Sequence, residues 1–311
     1  VRSTIDSLNM PKTMLRDDGA TGATTEVANM KCRAVLIVLL LLSTPAVPAW
    51  AQLSAPNAMG VAMGHLHYVV RDVQANKTFW IALGGRPLKQ GAIDVVAFPD
   101  VLVFLSQGES SGGTNGSVVN HVAFKARSLA ALEASGMKVT YLKQYPGVAS
   151  VVSPEGERIE LFDETSENLV FTLDPGLSDA AAERHHRRMT VPIVVHHIHL
   201  YVPAGAEVQA KEWYARLFGG VNGKRWHYEA TDLPGINMNF SSAERPVVPT
   251  KGRMLDHIGF EVTNLKAFCE KLDANGVKLD APYEMRADGV ATAWLTDPWG
   301  TSIELTEGLR Q

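Results

Sequence analysis

Six residues of this 311-residue chain could hold metal ions: His65, His121 and Glu160 in the first half, His197, His257 and Glu304 in the second. The histidines are 56 residues apart in the first set and 60 in the second, and the glutamate follows after a further 39 and 47 residues. Two neutral imidazoles and one carboxylate on one side of a divalent ion make a facial triad, which leaves positions open for water, substrate or dioxygen. Each histidine sits at the head of an apolar run, a poor place for an imidazole unless its nitrogens are satisfied. Each glutamate stands between Ile and Leu in an "IEL" run. One such glutamate is ordinarily an edge residue facing solvent; two at matching places, each paired with a strand-opening histidine, point to a metal role. His67, His196 and His199 share the first-strand runs but have no counterpart in the second and fourth. They read as satisfied core imidazoles, one of which could orient a ligand from behind.

Four repeats supply the elements that must position these groups. The runs "GHLHYVVRDV" (64–73), "NHVAFKARSL" (120–129), "HHIHLYVPAG" (196–205) and "DHIGFEVTNL" (256–265) are each followed by a helical pattern. The first and third helices end in "FWIALGG" and "WYARLFGG", where the double glycine suits a left-handed stop. Short β-patterned runs follow, and the second and fourth repeats close alike on "SPEGERIELFD" and "DPWGTSIELTE". Each repeat therefore reads β-α-β-β-β. Side chains two apart on a strand share a face, so inward-facing ligands from paired modules can converge. The expected fold is α+β: four βαβββ modules paired into two domains, 60–165 and 192–311, each a cupped mixed sheet around a cavity. The polar stretch 166–191 is read as a linker. Pairing neighbours in sequence makes His65, His121 and Glu160 one triad and His197, His257 and Glu304 the other.

A formal net charge of −4 argues against a nucleic-acid partner, and the basic cluster "ERHHRR" (183–188) reads as a solvated linker helix. Residues 30–52, "MKCRAVLIVLLLLSTPAVPAWAQ", have the basic, apolar, small-x-small order of a signal peptide cleaved after Ala51. Residues 1–29 would then be an untranslated or disordered leader, and the destination periplasmic or secreted. The apolar run is far short of the roughly 20 residues of a membrane span, so none is expected after cleavage. The mature chain keeps a single cysteine, Cys269, and thus no internal disulfide.

The strand openings "GHLHYVV", "NHVAF", "HHIHLYV" and "DHIGFEV", with "DPWGTSIEL", resemble the vicinal oxygen chelate superfamily: glyoxalase I, bleomycin-resistance proteins and extradiol dioxygenases. The resemblance spans nearly all of 60–307 and implies paired modules with metal ligands on first and last strands. Glyoxalase-type members use a fourth ligand ending the odd modules. Here "DVLVFLSQ" (100–107) offers nothing but apolar groups there, and "GINMNFSS" (235–242) offers Asn239. The three-ligand set therefore looks more like an extradiol dioxygenase with Fe(II) or Mn(II). Trp294, however, stands where that family has a tyrosine, and the family's upstream histidine is absent; His227, Tyr228 and Tyr283 are the available substitutes. A zinc- or nickel-dependent lyase or isomerase, and a non-catalytic binder using Trp213, Trp226, Trp294 and Trp299, are the alternatives. All three imply a small-molecule ligand and a monomer or homodimer.

Overall fold

The computed structural model describes residues 52–164, 166, 170–177 and 189–309. The leader, the signal sequence and the cluster 183–188 lie outside the described residues. Each histidine-bearing run is a strand: β1 (Val61–Val70), β5 (Val119–Ala126), β10 (Ile193–Val202) and β14 (Leu255–Val262). Helices α1 (Val73–Ala82), α2 (Leu129–Ala134), α3 (Glu207–Phe218) and α4 (Leu265–Ala274) follow them. Asp72, Ser128 and Asn264 cap α1, α2 and α4 by accepting a backbone N–H three residues on. The double-glycine stop is realised at Gly219, which closes α3 at φ +75°.

Three more strands complete each module. They are β2 (Arg86–Gln90), β3 (Ile93–Phe98) and β4 (Val101–Gln107) in the first, and β6 (Thr140–Tyr141), β7 (Val148–Val152) and β8 (Arg158–Asp163) in the second. The third has β11 (Val221–Arg225), β12 (Tyr228–Leu233) and β13 (Ile236–Ser242); the fourth has β15 (Ala281–Met285), β16 (Ala291–Thr296) and β17 (Ser302–Glu307). A short strand from the connection, β9 (Phe171–Leu173), pairs with β11.

The modules do not pair with their neighbours in sequence. One sheet runs β15-β16-β17-β14-β1-β4-β3-β2 and joins modules 4 and 1; the other runs β6-β7-β8-β5-β10-β13-β12-β11-β9 and joins modules 2 and 3. The joints are antiparallel, β1 on β14 and β10 on β5, with His67 opposite His257 and His199 opposite His121. Strand patterning says which face a side chain takes but not which strand lies alongside, so the expected pairing of modules 1 with 2 and 3 with 4 is corrected by the long-range register.

The expected cupped sheet around a cavity is also not formed. Both sheets are open, with β15 and β2 the outer edges of one and β6 and β9 of the other. Strands β2, β6 and β15 are short and largely exposed, so these ends lack the apolar inward face that closing a sheet on itself requires.

The opposite faces of the two sheets share the main core. Trp80 of α1 and Phe98 of β3 pack on Phe124 of β5, ring centroids 5.8 and 4.9 Å away, and Phe218 of α3 packs on Phe260 of β14 at 4.9 Å. Cys269 of α4 is a free thiol buried in this core. The burial of both sheets against one apolar layer leaves the face of each that carries the candidate ligands looking away from it. No helix among the described residues is long and apolar enough to cross a membrane.

Candidate metal centres

All six sequence-predicted ligands converge, but in exchanged company. In the first sheet His65 Nε2 is 2.9 Å from Glu304 Oε2, and His257 Nε2 is 3.3 Å from the same oxygen. In the second, His121 Nε2 lies 3.1 Å and His197 Nε2 3.5 Å from Glu160 Oε2, with the two imidazole nitrogens 3.4 Å apart. The sets are therefore His65–His257–Glu304 and His121–His197–Glu160. Each keeps the histidine and glutamate of one module and takes its other histidine from the module across the joint; His65 and His197 have changed places relative to the sequence expectation.

The spacing suits an ion. Two ligand atoms about 2.1 Å from one metal and at right angles to it are about 3.0 Å from each other. His257 Nε2 is buried and makes no well-directed hydrogen bond, and Nδ1 of the buried His65 is also unbonded. The first centre is cut to fit its histidine: a Cβ on Gly259 would lie 2.0 Å from His65 Cε1, so the ring occupies the space a side chain would take. The matching position opposite His197 is Ala123, and there the histidine stands farther from its carboxylate.

The outer partners differ. His257 Nδ1 donates to Asp256 Oδ1 at 2.7 Å, whereas His121 Nδ1 faces Asn120 Oδ1 at 2.8 Å. Burial acts to lower the pKa of His257, but Asp256 and Glu304 outweigh it and the net shift is upward. Burial lowers that of His121, and Glu160 does not fully offset it. His197 and His199 fall well below the ordinary value through burial, with Arg225 and the neighbouring imidazoles adding to the effect. Glu304 is held well below the usual carboxylate range by His257 and His65 against the opposing effect of burial, and Glu160 goes down to about 2 for the corresponding reason with His121. Both carboxylates are thus ionised and ready to bind a cation.

A third imidazole stands beside each triad. His67 and His199 lie within 4.8 Å, ligand atom to ligand atom, of the other histidines of their centres. Each is tied by Nε2 to a serine on the adjacent strand, Ser106 at 2.8 Å and Ser241 at 2.7 Å. The sequence reading of these two as core imidazoles missed their place at the sites. The available signal was their i+2 spacing from His65 and His197, which puts them on the ligand face. His196 sits behind His197, with their Nδ1 atoms 2.8 Å apart. On the strand beside these histidines the first centre has Phe104, its ring 4.9 Å from His65, and the second has Asn239, buried with neither amide atom bonded among the described residues.

Two pockets open on these faces. The first, about 180 Å³, is lined by His65, His67, His257 and Glu304 together with Phe104 and Trp294. The Trp294 ring meets His257 edge-on at 4.6 Å. The second, about 240 Å³, is lined by His121, His199 and Glu160 with Arg158, Arg225 and Tyr228. Of the acid–base substitutes foreseen, Tyr228 is at the second pocket, Tyr283 packs against the core, and His227 lies against Trp226 without lining either pocket. Trp213 and Trp299 belong to the core periphery.

The family model described as the glyoxalase/bleomycin resistance protein/dioxygenase superfamily matches residues 62–305. No curated protein matches the sequence. Among solved structures, glyoxalase I from Zea mays is 14% identical, with 79% of this chain and 92% of that chain covered and a TM-score of 0.57. A Bacillus subtilis protein described as a candidate dioxygenase is 13% identical, with 83% and 86% covered and a TM-score of 0.56. At such identities the likeness is one of fold.

Proposed function

The chain belongs to the glyoxalase/bleomycin resistance protein/dioxygenase superfamily, and from that premise we propose that it is an exported, mononuclear divalent-metal enzyme of extradiol-dioxygenase-like type acting on a small oxygenated or aromatic molecule. Its working centre is His65, His257 and Glu304. One observation carries this reading: three ligand groups face one point while Phe104 stands where a fourth, carboxylate ligand would close the set. A bound Fe(II) or Mn(II) would supply a Lewis acid and a redox-active centre with open positions.

The chain's own groups prepare that centre. Asp256 fixes a proton of His257 on Nδ1, which leaves Nε2, without a hydrogen-bond partner, to serve as a ligand beside Glu304. Phe104 and Trp294 wall the pocket with apolar surface and limit its water. His67, held by Ser106 and kept neutral by burial with its pKa near 3, can hydrogen-bond a substrate oxygen without bringing a second positive charge.

The test is oxygen uptake by the iron-loaded mature protein with a panel of catechols. Uptake that disappears in Glu304→Gln and persists in Glu160→Gln is the expected result; no uptake with any catechol sinks the dioxygenase reading. A lyase or isomerase is favoured by one feature, His67 close enough to serve as a fourth ligand. Zinc or nickel retained through purification, with no uptake after iron loading, would support it. Export predicts a mature N-terminus at Gln52, to be read by mass spectrometry of the protein made with its own leader.

A further inference from the structure

The apolar side of the first centre does not end at its pocket. His65 lies beside Leu102 and His67 beside Phe104 in the parallel register of β1 and β4; Phe104 lies beside Val95, and Val95 beside Leu88, across β3 and β2. Residues opposite one another on adjacent strands share a face, so the ligand face continues outward as an apolar floor. Leu53, Val95, Ala97, Leu102 and Phe104 form a buried cluster on it, separate from the main core. The matching positions of the second sheet are Asn237 for Leu102, Asn239 for Phe104, Ala230 for Val95 and Gly223 for Leu88. The floor belongs to the first sheet and not to the second.

A recess of about 380 Å³ stands on this floor, lined by Leu88, Val95, Leu102, Val290 and Leu309. Gln90, Val290 and Leu309 also line the pocket of about 180 Å³ at His65, His67, His257 and Glu304, so the two spaces adjoin. By itself the smaller one falls below the roughly 300–1,000 Å³ of small-molecule sites and has room for about one ring; with its neighbour it falls within that range. The charged side chains of the outer recess are already paired, Lys89 with Asp94 at 3.0 Å and Asp288 with Arg286 at 2.9 Å. The apolar floor is therefore the feature a ligand would meet there. Leu309 divides the two spaces. The chain turns at Gly308, φ +109°, and the N–H groups of Gly308 and Leu309 both donate to Oε1 of the buried Glu261, at 2.9 and 3.1 Å. That anchoring carries the Leu309 side chain from the end of β17 onto the cluster of β3 and β4.

We propose that the outer recess is a second subsite of the Glu304 centre, which takes an aliphatic chain carried by the ring of the substrate, and that Leu309 controls the passage of that chain. This rests on the reading of His65, His257 and Glu304 as the working centre, and it narrows the substrate class to alkyl-substituted catechols. Each methylene that leaves water for the floor should tighten binding about threefold to fourfold.

Calorimetric titration with catechol and its 3- and 4-methyl, propyl and butyl derivatives tests this, on the iron-loaded mature protein under argon, where no turnover occurs, and on the metal-free protein. In at least one series the butyl derivative should bind at least about 30-fold more tightly than catechol. That ratio should be the same with and without iron, because the chain does not touch the ion. Leu88→Asp, at an exposed position that lines the outer recess alone, and Leu309→Trp, which fills the passage, should each bring the ratio below about threefold, with circular dichroism checking the fold. A ratio near one in both series, no binding of any catechol to either form, or an unaltered ratio in either folded variant would overturn the proposal. Admitting oxygen then tests the centre separately. A chain-length gain without oxygen uptake counts against the dioxygenase reading and supports the subsite; uptake at equal kcat/KM for catechol and both butyl derivatives does the reverse.

Discussion

Behind His257 in one centre stands a carboxylate, Asp256; behind His121 in the other stands an amide, Asn120. The remaining surroundings follow the same division. The centre on β1, β14 and β17 has Glu304 and Asp256 close to its histidines, Phe104 and Trp294 as walls and an Arg286 paired with Asp288, whereas that on β10, β5 and β8 has Glu160, Arg158, Arg225 and phenols. Asp256 adds a second carboxylate beside the first pair of imidazoles, while Arg158 and Arg225 stand at the second. Both sheets carry two imidazoles and one carboxylate at matching places and differ in the polar groups that surround them. The lesson is that ligand identity alone does not make two centres equivalent; the field in which the ligands sit decides what they hold.

The largest way to break this comparison is to remove a carboxylate. Glu304→Gln should lower metal affinity by more than about 100-fold, beyond the 10–100-fold typical of an outer partner, and Glu160→Gln should change the tighter of the measured affinities little. Metal titration with a competing chelator reads both, and an equal loss in the two variants would mean that the centres share the ion's affinity.

Exchanging the outer partners sharpens it. Asp256→Asn should weaken the first centre about 10–100-fold, and Asn120→Asp should strengthen the second. No response at either position would show that the carboxylate behind the imidazole is not what separates them. A steric counterpart lies at Gly259: Gly259→Ala should destabilise the fold by about 1–3 kcal/mol, because the new methyl meets the His65 ring. Ala123→Gly, at the matching place, should cost less, and urea unfolding of the two variants gives the comparison.

The smallest effect is in pH. A histidine whose folded pKa is depressed binds its proton more readily when unfolded, so stability is complete above the unfolded value near 6.5 and declines as pH falls below it. His67, near 3, is such a group in the first centre; His121, His197 and His199 are such groups in the second. His257 is raised, so its contribution is present below about 6.5 and is lost as pH rises through its folded value, offsetting His67. Below about 4.5 the depressed carboxylates add a further loss, which for Glu160 continues down to about 2. The metal-free protein should therefore lose stability between pH 6.5 and 5, chiefly through the second centre. His199→Asn should flatten that slope by up to about 1.4 kcal/mol per pH unit, measured as urea midpoints at several pH values. An unchanged slope would remove the electrostatic distinction between the sheets.

Much of the molecule was legible beforehand. The four histidine-headed strands, the helix behind each and the two "IEL" strands follow from local periodicity and turn chemistry, and these express themselves within a module. Glu160 and Glu304 were also readable, since β5–β8 and β14–β17 are pairings inside one module. Arg158 and Arg225 were not: a charged residue near the end of a short strand looks like any solvated one until another module closes over it. The third imidazoles were passed over for lack of a counterpart in the even modules, although their spacing had placed them on the right face.

The chain alone determined the repeats, the six candidate ligands and the face of each strand on which they lie, because alternation along a strand is local geometry. Only the tertiary structure decided that His65 joins His257 and Glu304 while His197 joins His121 and Glu160, that the sheets remain open, and that Arg158 and Arg225 come to the second pocket. Those outcomes depend on which strand lies beside which across long stretches of chain, and the period of two that orients a side chain is the same for every possible partner.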